Sequence, residues 1–404
     1  METNIIYNED CLAGIRKLPE NSIDCCVTSP PYYQLRDYGV DGQIGLEANL
    51  PEYIDKLVQV FREVRRVLKP EGSLWLNLGD SYATSGGPHV VNTINSNRMG
   101  GSDTQNNGQS RKPADGLKPK DLMGVPWRVS FALQGFAVIG TPTLLQWADW
   151  LREAREMQDW QLVSMVEDRI RSMSMTDALR ADGWWLRSDI IWAKKNCMPE
   201  SVTDRPTRAH EYIFLLSKSA HYYYDYEAIK EPASMASLQR WGQNIEDQAG
   251  SARGNGGAKV NGPMKAVGGP KKDKQRGHSR RHDGFNDRWD GMTKEEQCTM
   301  GRNKRTVWTV ATQPFREAHF ATFPEKLIEP CILAGCPEKG IVLDPFMGSG
   351  TTGLVTLRLG RQFLGYELNP EYCAMANRRL SKVINQQRLD FCATESNPNQ
   401  ERSE

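Results

Sequence analysis

Ser29, Pro30, Pro31 and Tyr32 stand in a row directly behind the apolar run "IDCCV". Consecutive prolines lack N–H groups and fix φ, so neither a sheet ladder nor a helix continues through them. A strand is expected to end here at a rigid corner offering a hydroxyl, a stiff backbone and an aromatic face. Near the other end of the chain, "DPFMGSGTTG" (344–353) lies between an apolar run and a helical pattern. Such a turn points bare N–H groups at whatever binds beside a helix N-terminus. Gly348, Gly350 and Gly353 follow G-x-G-x-x-G, whereas the lysine of a phosphate-binding P-loop is missing. Fifteen residues after Thr352, Glu367 closes the next apolar run, the position from which an acid grips a ribose diol. Together these features predict a nucleoside-bearing cofactor, and spacing leaves open whether it is a dinucleotide.

The intervening sequence supplies elements to hold both pieces. Strand, helix and strand alternate from "NIIY" through "NEDCLAGIRKLPENS" to "IDCCVT". Ile54, Leu57, Val58, Phe61, Val64 and Leu68 then recur at helical spacing. "KPEG" is expected to stop that helix before a strand, "SLWLNLGD". A helix over "LMGVPWRVSFALQ" and strands over "WWLRSDIIWAKKN" and "HEYIFLLSKS" follow. The last hundred residues return to strand, glycine turn, helix, strand ("RQFLGYEL") and helix ("NPEYCAMANRRLSKVINQQ"). This alternation predicts an α/β protein with a parallel sheet.

Composition narrows the class. Among 404 residues, 39% are apolar and 25% charged, as in ordinary globular proteins. Nine cysteines without a C-x-x-C spacing and six scattered histidines argue against a metal site and a disulfide framework. No apolar run approaches the length of a membrane span, so a reduced, cytoplasmic protein without membrane contact is expected. The net charge of +1 hides an asymmetry: residues 251–310 carry fourteen basic against six acidic side chains, with Phe285, Arg288 and Trp289 among them. That segment is the electrostatic candidate for phosphate contact, against the alternative of a solvated linker suggested by its Gly-rich first half.

Ser-Pro-Pro-Tyr combined with Asp-Pro-Phe-x-Gly-x-Gly-Thr-Thr resembles the DNA amino-methyltransferases that use S-adenosyl-L-methionine. With the corner first and the glycine loop last, the order is similar to their β class. "LNLGDSY", "GVPWRVSFALQ", "DRPTRAHEYIFLLSKS", "HFATFPEKLIEPCILAG" and "GRQFLGYELNPEYCAMANRR" extend the likeness over most of the chain. It implies a Rossmann-like, seven-stranded methyltransferase sheet in circularly permuted order, with an inserted target-recognition region, and it decides against a dinucleotide. It further implies that Asp344, Phe346, Gly348 and Gly350 form the methionine side of the cofactor pocket and that Thr351 also binds the cofactor. Glu367 would take the ribose hydroxyls, Asp10 would lie near the adenine, and Phe323 with Pro324 would line the same pocket. Ser29, Pro30, Pro31 and Tyr32 become the catalytic corner.

The organisation expected is a catalytic half (1–134) with a mobile loop (84–121), a helical insertion (135–180), the remainder of the catalytic half (181–230), a target-recognition region (231–305), a cofactor-binding half (306–390) and a tail (391–404). The reaction implied is methyl transfer to the exocyclic amine of a base flipped from double-stranded DNA. Serine at the first corner position goes more often with cytosine N4, and adenine N6 is the alternative. A cysteine-dependent carbon-5 reaction would need a nucleophile such as Cys331, after Pro330, but "IEPCILAG" reads as an apolar helix. A non-DNA amino-methyltransferase and an inactive DNA-binding relative are the remaining readings. A cognate restriction endonuclease and a homodimer are compatible with the resemblance.

Overall fold

The computed structural model describes residues 1–83, 117–135, 183–232, 301–313 and 323–395, with a few isolated positions between 155 and 164. It divides into two compact units, Met1–Asp225 with Arg305–Glu404, and Tyr226–Lys304. In the second unit, Glu231 and Arg302 form an isolated antiparallel bridge and an ion pair. Apart from those isolated positions, the expected helical pair within 142–173 falls outside the described residues, as do most of the loop 84–121 and most of the basic segment, including Phe285, Arg288 and Trp289.

The first unit is built on one sheet. Its strands are β1 (Ile5–Tyr7), β2 (Ile23–Thr28), β3 (Leu68–Leu78), β4 (Trp185–Lys194), β5 (His210–Ser217), β6 (Val307–Val310), β7 (Ile341–Asp344) and β8 (Gln362–Tyr366). They lie in the order β1-β8-β7-β2-β3-β5-β4-β6. The five strands from β1 to β3 are mutually parallel, and β5 runs antiparallel to both β3 and β4. The last two strands of the chain therefore sit between the first and the second. This puts the segment after β2 and the segment after β7 at neighbouring strand tips, since Cys25 and Cys26 pair with Val342 and Leu343.

The sheet has eight strands rather than the expected seven. The additional one is β6, which pairs parallel with Ile191–Lys194 at the edge opposite β1. Its alternating β-branched and aromatic residues, Val307, Trp308, Thr309 and Val310, suit a pleated edge. A second difference concerns "KPEG". The helix does end before it, but the segment lies inside β3, which begins at Leu68. Register against β2 jumps from Ile23–Leu68 to Cys25–Ser73, so Pro70 and its neighbours form a bulge where no ladder N–H is needed from proline.

Helices cover both faces. On one, α1 (Cys11–Arg16), α2 (Leu50–Val67) and α3 (Val125–Leu133) enclose Cys26, Leu74, Leu76 and Leu78. In α2, Asn49 accepts from the Glu52 N–H as N-cap, and Tyr53, Ile54, Leu57, Phe61 and Val64 make a fully buried stripe. The other face carries α4 (Glu325–Gly335), α5 (Thr351–Arg358) and α6 (Pro370–Glu395). Cys25, the neighbour of Cys26, approaches α4 there: a Cβ on Gly335 would stand 2.9 Å from its Sγ. Successive strand residues thus feed opposite layers, as in doubly wound folds.

Candidate active site

A cavity of about 430 Å³ opens at the strand tips. Ser29, Pro30, Pro31 and Tyr32 line it, as do Phe346, Gly348, Thr351, Glu367, Asp10 and Phe323. Of the residues expected at the site, Asp344, Gly350 and Pro324 do not reach the cavity wall.

Each of those three acts from behind the wall. Asp344 is 1% exposed and accepts from Thr28 Oγ1 at 2.6 Å, Thr352 Oγ1 at 2.5 Å and the Phe346 N–H at 3.0 Å. It ties β2 and the start of α5 to the turn after β7. Burial pushes its carboxyl up to about 6, against the pull of these hydrogen bonds. Gly350 caps α5 at φ +79, and a Cβ there would come within 2.9 Å of the Ala376 Cβ. Pro324 is the N-cap of α4.

The glycine turn is held by the acid expected to face the ribose. Glu367 Oε2 accepts from the Gly348 N–H and Oε1 from the Asn369 N–H, each at 2.8 Å. Burial raises its pKa, opposed by these backbone hydrogen bonds. Asp10 accepts from the Ala13 N–H at 2.8 Å as N-cap of α1. The Glu367 carboxylate, which keeps lone pairs beyond those used by the turn, and the apolar walls of Phe323, Phe346 and Leu368 combine an acceptor for a diol with a surface for a flat base. The site therefore fits S-adenosylmethionine, the cofactor that the resemblance implies.

The corner is braced from several elements. Tyr53 in α2 donates to the Pro31 carbonyl at 2.8 Å. Gly79, just beyond β3, leaves room for the Tyr32 ring: a Cβ there would be 2.5 Å from Tyr32 Cε2. Tyr32 Oη donates to Glu211 Oε2 at 2.7 Å. Asn77 Nδ2 meets Tyr32 Oη at 2.9 Å, Glu211 Oε2 at 3.1 Å and Ser29 Oγ at 3.3 Å. Lys194 Nζ lies 2.5 Å from Glu211 Oε1 and 4.8 Å from the centre of the Trp192 ring.

Sequence reasoning missed Asn77, Lys194, Trp192 and Glu211, all of them cavity-lining. They stood inside runs read only as strands, "LNLGD", "IIWAKK" and "HEYIF". The available signal was a polar or charged residue at a strand end that the topology turns toward the same tips.

Neither cysteine near the site is poised as a nucleophile. Cys331 is 1% exposed within α4 and does not line the cavity. Cys11 does line it, but burial and the neighbouring Asp10 raise its thiol pKa far above the ordinary range. Among the described residues there is no cluster that could hold a metal ion and no helix long and apolar enough to cross a membrane.

The chain is 40% identical to the Type II methyltransferase M.SmaI of Serratia marcescens over 92% of its own length and 88% of the relative's. It is 38% identical to the Type II methyltransferase M.Cfr9I of Citrobacter freundii, over 93% and 87%. Among solved structures, the cytosine-N4-specific PvuII DNA methyltransferase aligns over 96% of this chain and 93% of that one, at 17% identity and a TM-score of 0.44. The profile of the N6/N4 DNA methylase family covers residues 23–378. With its corner and glycine turn on adjacent strand tips of a doubly wound sheet, the chain belongs to the N6/N4 DNA methylase family, the S-adenosylmethionine-dependent DNA amino-methyltransferases.

Proposed function

We propose that this DNA methyltransferase modifies N4 of cytosine flipped out of duplex DNA, and that the cavity holds cofactor and base side by side. The observation that carries the reading is Ser29 at the tip of β2, beside the glycine turn that follows β7. An exocyclic amine is a poor nucleophile because its lone pair is delocalised into the ring. Ser29 Oγ and the Pro30 carbonyl accept its two hydrogens and favour a pyramidal nitrogen. The prolines and the Tyr53 hydrogen bond keep this corner rigid, so the amine is bound already oriented. Positive charge grows on nitrogen as the N–C bond forms, and the oxygen dipoles of the corner stabilise it. One amine proton is then lost to water.

Tyr32 stacks on the flipped base and offsets the cost of unstacking, each being a few kcal/mol. Glu367 would hold the ribose hydroxyls of the cofactor, Phe346 would line its methionine side, Phe323 would line the same pocket, and Asp10 would lie near the adenine. Bound S-adenosylmethionine supplies an electrophilic methyl on a sulfonium whose sulfur leaves as a thioether.

In the family, serine at the first corner position goes more often with cytosine N4; adenine N6 requires the same hydrogen bonds and is the second reading. Basic residues of 251–310 contact DNA phosphates, and 231–305 reads the target sequence. The relatives named Type II methyltransferases support a cytoplasmic role beside a cognate restriction endonuclease. Purified protein, mixed-sequence duplex DNA and methyl-labelled S-adenosylmethionine, followed by nucleoside mass spectrometry, test the reading. N4-methylcytosine is expected, and N6-methyladenine would replace the base.

A further inference from the structure

We propose that Glu211 is a positioning residue that makes Ser29 an obligate hydrogen-bond acceptor toward the target amine. The inference rests on the reading of Ser29 given above and adds the residue that sets its polarity.

A serine hydroxyl is ambivalent, with one hydrogen to donate and two lone pairs. An amine presenting its hydrogens needs the lone pair, so something must commit the hydroxyl hydrogen elsewhere. The surrounding network has one sense. An ionised carboxylate can only accept, and Lys194, 2.5 Å from Oε1, supplies the cation beside it. The Tyr32 hydrogen is therefore committed to Glu211 Oε2 at 2.7 Å, and the Tyr32 oxygen is left to accept.

Asn77 Nδ2 faces three oxygens, those of Tyr32, Glu211 and Ser29, at 2.9, 3.1 and 3.3 Å. Only the amide NH₂ satisfies that arrangement. A carbonyl oxygen there would oppose the Glu211 charge, and the Asn77 Oδ1 turned away from it has no hydrogen-bond partner. The NH₂ has two hydrogens for these three oxygens, so Ser29 Oγ, the farthest at 3.3 Å, shares one of them on a lone pair. The Tyr32 oxygen, 3.5 Å away, is the acceptor found for its own hydrogen. One lone pair remains, on a residue that lines the cavity. Glu211 reaches Ser29 only through Tyr32 and Asn77, and its carboxylate orients every hydrogen in the set.

The isosteric change Glu211→Gln tests this. Its amide can donate to the Tyr32 oxygen, which frees the Tyr32 hydrogen to turn toward Ser29 and occupy the remaining lone pair. The expected result is a fall in kcat of about 10²-fold, a loss typical of one misdirected hydrogen bond at a reacting centre, with S-adenosylmethionine Kd within threefold of wild type. Tyr32→Phe, which keeps the ring and removes the hydroxyl, supplies the second measurement. Because both changes break one relay, the double variant should be no slower than the worse single variant. Wild-type kcat in Glu211→Gln, additive losses, or equal losses of kcat and cofactor affinity would each overturn the role of Glu211. Should Glu211→Gln fail to fold, wild-type kcat in Tyr32→Phe overturns it alone, and a tenfold or greater loss there supports the relay. A wild-type enzyme that labels no DNA would instead overturn the amine reading and this proposal with it.

Discussion

The Thr28 hydroxyl donates to the Asp344 carboxylate across 2.6 Å, joining residues 316 positions apart. Thr28 immediately precedes Ser29, and Asp344 opens the glycine turn. This contact, with the β2–β7 pairing, sets the distance between the two halves of the site.

Asp344→Ala should therefore weaken both halves. It leaves the hydroxyls of Thr28 and Thr352 and the Phe346 N–H without their acceptor. Loss of such a buried network costs about 3 kcal/mol, to be read as a drop in unfolding free energy together with weaker cofactor binding. The pH dependence has a definite sign. The folded-state pKa is raised to about 6 from an ordinary 3.8, so the native state holds the proton more tightly than the unfolded chain. The stabilisation is fully present below about pH 4 and is lost as pH rises to about 6. Denaturant unfolding should show wild type losing up to about 3 kcal/mol relative to the non-titrating Asp344→Asn across that window, with no further change above it.

Gly79→Ala should damage catalysis more than folding. The added methyl would overlap the Tyr32 ring edge at 2.5 Å, and Tyr32 is anchored through its hydroxyl to Glu211. A displacement near 1 Å at a positioning group lowers rate by about 10²-fold. Steady-state kinetics should show that loss in kcat, with a Tm close to wild type.

Glu367→Ala should cut cofactor affinity and spare DNA binding. It removes the acid at the end of β8 and also frees the Gly348 N–H that shapes the turn. Hydrogen bonds to a charged group contribute about 1.5–3 kcal/mol, so calorimetry should report a Kd for S-adenosylmethionine higher by about 10- to 100-fold. Unchanged affinity would remove Glu367 from the cofactor site.

Cys331→Ala and Cys11→Ser should both retain methyl transfer within about threefold. The first thiol is shut inside α4 and the second is held protonated by its surroundings. Loss of turnover in a folded Cys11→Ser variant would show that a thiol takes part in the reaction.

Much of this arrangement was legible in the chain because the decisive residues are local signals. Two prolines end β2 whatever surrounds them, and glycines at φ +53 and +79 mark the turn before α5. Asn77, Lys194 and Glu211 left no such mark. Their significance arises from the β3–β5 and β4–β5 pairings, which bring the three to one cavity. The bulged "KPEG" and edge strand β6 were missed for a related reason: each depends on a partner strand far away in sequence. Asp344, read from its motif as part of the cofactor pocket, supports the turn from its buried side.

The most direct test of the account compares wild type with Ser29→Ala in one assay, measuring S-adenosylmethionine affinity and N4-methylcytosine formation on the same DNA. Removing the hydroxyl should leave cofactor Kd within threefold of wild type and reduce kcat by about 10²–10³-fold, the loss expected for one preorganised dipole at a reacting centre. Wild-type turnover in Ser29→Ala would contradict the assignment of the corner as the catalytic acceptor.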